Sequence, residues 1–142
     1  DIERPSRLVR VSAMYDSTGL YIAFEFKDYT PMINHVDPQS TPGKGWCGDA
    51  VQLRIDSDYE SNFYAPPLHP MQIIHVDGYW HTDTKKSAAY VVYGDLGPDG
   101  SIEKTITQAI GQGVEIAFKA DADGQGYVQE MRLTWAHLNP AG

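Results

Sequence analysis

The stretch GWCGDAVQLRID, residues 45–56, sets an aromatic and a carboxylate three residues apart at the mouth of an alternating segment. Trp46 has the chemistry for carbohydrate binding. A pyranose ring carries patches of C–H that lie on an aromatic face, while polar neighbours read its hydroxyls. Gln52 and Arg54 share the polar parity of the segment that follows and can supply those hydrogen bonds. The same tryptophan also suits a packing role, fixing a long loop to the edge of a sheet. The same parity also suits a solvated face. Asp49 is expected to hold the loop or the strand start in place.

A second stretch, YAPPLHPMQIIHVDGYWHTD, is dense in aromatics and histidines. A turn at its glycine is expected to place Tyr79, Trp80 and His81 on a hairpin tip. Tyr79 or Trp80 would then serve as a sugar platform, with His75 as hydrogen-bond partner. A core strand with a covered tip is the alternative. His75, Asp77 and His81 are also ligand types for a transition metal, though at unconvincing spacing. DADGQG resembles a calcium loop, but counting from Asp121 the twelfth residue is Arg132 rather than the required Glu, so a hairpin turn is expected. Asp16, Asp28, Asp37, Asp56 and Asp58 supply oxygens without forming a recognisable set. Cys47 has no local base and reads as a packed thiol. GxSxG, HExxH and phosphate-cradling glycine loops are absent, and paired glycosidase carboxylates are not readable from sequence because their spacing is spatial. The chain is expected not to be an enzyme.

The elements that must position these residues are short period-2 segments. Leu20, Ile22, Phe24 and Phe26 alternate with Tyr21, Ala23, Glu25 and Lys27. Val51, Leu53 and Ile55 alternate with Gln52 and Arg54. RLVRVSAMY, MQIIHV, AAYVVY, GVEIAFKA and GYVQEMRLT read as further strands. YDSTGL and ADADGQGY read as hairpin connections. SIEKTITQAI fits either a short helix or a strand, and is taken as strand or irregular. TWAHLNP reads as one helical turn stopped by a proline. Many short strands and little helix predict an all-β fold: an antiparallel β-sandwich of jelly-roll or immunoglobulin-like type with short helical turns.

The bulk numbers narrow the partners. A chain of 142 residues is one ordinary domain, expected over 1–142. Its formal net charge of -8 argues against nucleic acid and against anionic membrane surfaces. A neutral sugar is not penalised by it. One cysteine excludes an internal disulfide without fixing a compartment. No run of about 18 apolar residues suggests a spanning helix. The chain opens on Asp1 and is expected to be a mature or excised part of a larger protein.

Taken in order, VSAMYDSTGLYIAFEFKD, GWCGDAVQLRID and GYVQEMRLTWAHL resemble the family 9 carbohydrate-binding modules. More broadly they resemble the superfamily that also holds the DOMON and ethylbenzene-dehydrogenase-type haem domains. The shared features are a Tyr-Asp turn before GLYIAF, a Trp-x-x-Asp before a strand, and a Gly-Tyr-x-x-Glu near the end. The resemblance covers about residues 9 to 138. It implies a bacterial β-sandwich, often with structural calcium, appended to secreted, periplasmic or cell-surface enzymes that degrade polysaccharide. Its ligand would be a polysaccharide or oligosaccharide and its partner a covalently linked catalytic domain. Trp46 matches the tryptophan that stacks on sugar, and Gln52 stands where the family usually has Glu. The second tryptophan of the family's clamp has no counterpart here. The haem-binding relatives imply an alternative, an electron-transfer domain holding haem b through Met71 with His75 or His81. Met32 with His35 is a weaker pair. A purely structural β-sandwich accessory domain within a larger protein is a further reading.

Overall fold

The computed structural model describes residues 7–41, 43–56, 73–96, 102–108, 110, 111 and 113–138. They form an all-β sandwich of two four-stranded antiparallel sheets. Sheet A has the order β1-β2-β8-β7 and sheet B the order β3-β4-β5-β6. The strands are β1 (Leu8–Tyr15), β2 (Gly19–Lys27), β3 (Val51–Asp56), β4 (Ile73–His81), β5 (Lys86–Leu96), β6 (Ile102–Gln108), β7 (Val114–Ala120) and β8 (Gly126–Thr134). One helical turn, α1 (Trp135–Leu138), follows β8, as the TWAHL segment suggests. The ambiguous SIEKTITQAI segment supplies β6, paired with β5 from Tyr90↔Gln108 to Leu96↔Ile102.

Alternation decides which face each strand buries. In β2 the residues Leu20, Ile22, Phe24 and Phe26 turn inward, opposite Leu133, Met131, Gln129 and Tyr127 of β8. In β4 the inward set is Ile74, Val76, Gly78 and Trp80. The inward faces of the two sheets meet in a core of Phe24, Val51, Ile74, Val76, Val91, Val114, Met131 and Leu133. Two hairpins are closed by Asp side chains that stand in for backbone acceptors. Asp16 accepts the N–H groups of Thr18 at 2.6 Å and Gly19 at 3.1 Å. Asp123 accepts that of Gln125 at 3.0 Å, beside Gly124 at φ 69°.

Gly78 is not a turn. β4 runs straight through it to His81, and the chain reverses at residues 82–85. The glycine is required by packing. A Cβ there would come within 2.5 Å of Ile116 Cδ1 and 2.7 Å of Met131 Cε on the opposite sheet. Gln129 reaches across at the same point, its Nε2 donating to the Gly78 carbonyl at 3.1 Å. The expectation of a glycine turn fails because a glycine in a strand also serves where two layers approach closely.

β1 behaves differently from the rest. It is the outer strand of sheet A, and all eight of its residues are exposed. Even Val11, on the inward parity, is 57% exposed. Among the described residues no helix is long and apolar enough to cross a membrane.

Candidate functional site

The segment from 28 to 50 leaves β2 in sheet A and enters β3 in sheet B. On the way it lies over the outward face of sheet B. This outward face carries His75, Asp77, Tyr79 and His81 from β4, Tyr90 and Ala88 from β5, and Gln52 and Arg54 from β3. The segment has few apolar residues, so it is held chiefly by polar pins. Asn34 is wholly buried, and its Nδ2 donates to the carbonyls of Gly45 at 2.8 Å and Asp49 at 3.0 Å. Its Oδ1 accepts the Val36 N–H at 3.0 Å. Its backbone exchanges bonds with Thr82, and His35 pairs with Asp83 at 2.9 Å. Tyr79 Oη donates to the Val36 carbonyl at 3.0 Å, and Tyr90 Oη donates to the Pro38 carbonyl. Met32, Tyr79, Ala88, Tyr90 and Tyr127 form a second apolar cluster around this cover.

Asp49 acts as the sequence suggests. Its Oδ2 accepts the Ile33 N–H at 2.8 Å, and its own N–H donates to the Ile33 carbonyl at 3.0 Å. The 3₁₀ turn Gly45–Cys47 is thereby seated on β4. The flanking glycines make that seat possible. A Cβ on Gly45 would fall 2.5 Å from the Tyr79 ring and 2.7 Å from Asp77 Oδ2, and one on Gly48 would fall 2.7 Å from Asn34 Cγ.

Trp46 is the residue this turn presents. It is 56% exposed, and Lys44 Nζ sits 5.5 Å from its ring centroid in cation–π range. Its backbone N–H points toward Asp77. Asp77 is the registered neighbour of Gln52, as His75 is of Arg54. Trp46, Gln52, Arg54 and His75 thus belong to one outward face, Gln52 and Arg54 exposed and His75 half-buried. Asp77 lies beneath them, 2% exposed, and neither oxygen completes a hydrogen bond among the described residues. Burial pushes its carboxyl up to about 6, which the Trp46 N–H offsets only in part. Cys47, next to the tryptophan, is exposed rather than packed.

Two residues expected as platforms sit elsewhere. With β4 continuous through Gly78, Tyr79 and Trp80 fall on opposite faces. Tyr79 is 0% exposed under the 28–50 segment, and burial raises its phenol well above the ordinary range. Trp80 turns into the sandwich and stacks on Phe118 at 5.2 Å. His81 is buried in the β4–β5 turn, its Nδ1 accepting the Thr84 N–H at 3.1 Å.

The metal and haem candidates separate in the same way. His75 and His81 are six residues apart on one strand face, about 20 Å at the usual rise, so they do not meet at one ion. Met71 lies outside the described residues. Met32 is buried in the second cluster, while His35 faces Asp83 at the surface. Asp28 and Asp37 each accept the N–H two residues on, at 3.2 and 2.9 Å, as Asp16 does in its hairpin. Each of those carboxylates closes its own turn. Asp58 and the side chain of Asp56 lie outside the described residues. Among the described residues no group of three His, Cys, Asp or Glu is placed to hold a metal.

Asp77 and Lys44 join the Trp46 neighbourhood without having been assigned to it from sequence. The signal for Asp77 was its parity with His75, which is visible once the strand is allowed to continue past Gly78. No signal marks Lys44. Comparison of the chain with family models, with curated proteins and with solved structures gives no match.

Proposed function

We propose that this chain is a non-catalytic carbohydrate-binding module whose site is the outward face of sheet B. Trp46 stacks on a sugar ring while Gln52, Arg54 and His75 bond its hydroxyls. The observation that carries this reading is the exposed Trp46 ring on a turn pinned by Asn34 and Asp49, beside the exposed Gln52 and Arg54 of β3. An aromatic held out to water on a hydrogen-bonded turn is organised for contact rather than for packing. Lys44 Nζ lies over the ring at 5.5 Å, and the sugar would take the opposite face. Gln52 both donates and accepts, which suits hydroxyls. The net charge of -8 suits a neutral glycan better than a polyanion.

The resemblance to family 9 modules, carried by GWCGDAVQLRID and its flanking motifs, supports the same assignment. On that reading the module is secreted and brings a linked catalytic domain to polysaccharide. A glycan panel with the parent and Trp46→Ala tests it. Binding should fall at least tenfold in the variant with the thermal midpoint unchanged. Equal binding by both proteins sinks the assignment.

A further inference from the structure

The outward face of sheet A holds a second concavity, distinct from the Trp46 face. It encloses about 550 Å³ and spans all four strands. Register explains its shape. One rung across the sheet, Met14–Tyr21–Arg132–Glu115, is bulky. The next, Ser12–Ala23–Glu130–Ala117, is small apart from its glutamate. The large rung makes a wall and the small one a floor. Three strand spacings of about 4.8 Å make this trough about 15 Å long, running perpendicular to the strands.

The wall is pre-organised. Arg132 Nη1 pairs with Glu115 at 3.3 Å, and its guanidinium lies 5.8 Å from the Tyr21 ring centroid. Tyr21 Oη is held in turn by Asp16 Oδ2 at 3.2 Å and Thr18 Oγ1 at 3.1 Å. On the floor, Glu130 stands between two alanines, exposed, with no hydrogen bond or ion pair from the described residues. Arg132 Nε is buried and likewise makes no hydrogen bond among them.

Charge narrows the occupant. One rung beyond the floor come Arg10, Glu25, Val128 and Lys119, with Arg10 paired to Glu25 at 2.9 Å. Across the three rungs Glu25, Glu115 and Glu130 are matched by Arg10, Arg132 and Lys119. A balanced surface selects neither polyanion nor polycation. It offers donors and acceptors around a floor of methyl groups and an aromatic edge. That combination fits a ligand with hydroxyls at its rim and C–H on its faces.

We propose that the trough on sheet A is a second ligand site, taking a neutral oligosaccharide laid across the strands, with Glu130 accepting from its hydroxyls. The site is independent of Trp46, so the module would engage glycan on both faces.

The test is a ¹⁵N–¹H titration of the parent, Trp46→Ala, Ala117→Leu and Glu130→Ala with cellohexaose, xylohexaose, laminarihexaose and chitohexaose, and with a hexalysine peptide. One hexasaccharide should shift the amides of Ala23, Ala117 and Glu130. Those shifts should persist in Trp46→Ala and weaken at least tenfold in Ala117→Leu and Glu130→Ala. Shifts confined to residues around Trp46 overturn the proposal while leaving the first site standing. Shifts confined to sheet A support it and remove the first site. Equal binding by Ala117→Leu, or a response to hexalysine alone, overturns it, as does silence toward every hexasaccharide.

Discussion

The two outward faces of this sandwich are built from the same kind of antiparallel ladder and end up with opposite characters. On sheet B residues 28–41 and 43–50 lie across the strands and bury tyrosines, an alanine and a carboxylate. On sheet A nothing among the described residues lies across the strands, and a rung of small side chains leaves a trough. The covered face gets its order from a few buried polar pins. The open face gets its order from an ion pair and an aromatic–guanidinium contact along one rung. The difference teaches where substitutions should register. Beneath the cover of sheet B they should act on stability first, and in the trough of sheet A they should act on recognition alone.

The largest effect is expected at Asn34. Asn34→Ala removes one buried and two partly buried hydrogen bonds and leaves the Asp49 carbonyl and the Val36 N–H without that partner, which should cost about 3–4 kcal/mol in urea unfolding. A loss under about 1 kcal/mol would mean that the cover is held by its apolar contacts instead.

Asp77 should give a stabilising change of similar size and opposite sign. Its carboxyl is raised from the ordinary 3.8 to about 6, so the folded state favours the protonated form. The stability linked to it is full below pH 3.8 and is lost as pH climbs through 6. Asp77→Asn should therefore match the parent at pH 3.5 and exceed it by about 3 kcal/mol at pH 8, a shift of roughly two pKa units. Parallel pH–stability curves for the two proteins would remove Asp77 as a source of strain.

A pair of alanines sharpens the comparison further. Ala88 lies under the cover and is buried, whereas Ala117 lines the trough and is exposed. Ala88→Leu should cost about 1–3 kcal/mol through overpacking. Ala117→Leu should change stability by no more than about 0.5 kcal/mol. Thermal denaturation of both variants side by side checks this, and equal costs would erase the distinction between the faces.

Much of this architecture is written in local patterns. The alternation in GLYIAFEFK and VQLRID gives strand, parity and hence the common face of Gln52 and Arg54. The Asp-led turns likewise mark both sheet A hairpins. What the sequence hides depends on partners far along the chain. Gly78 looks like a turn residue, and only Ile116 and Met131 across the sandwich explain it. Once that glycine is misread, Tyr79 and Trp80 appear as an exposed tip instead of one residue beneath a cover and one in the core. Asn34 carries no local signal, because its acceptors at Gly45 and Asp49 lie 11 and 15 residues away. The small floor of the trough is invisible for the same reason. Ser12, Ala23, Glu130 and Ala117 become one rung only when four strands are in register.

The pairing of β2 with β8 also bears on how the chain folds. Sheet B is a run of strands in sequence order, each beside the next, so its contacts are local along the chain. The central ladder of sheet A joins Gly19 to Thr134, 115 positions apart. The entropy of loop closure therefore falls on sheet A, and pairing of such long range is slow to form. The trough is built on that ladder, so it exists only once β2 and β8 have met.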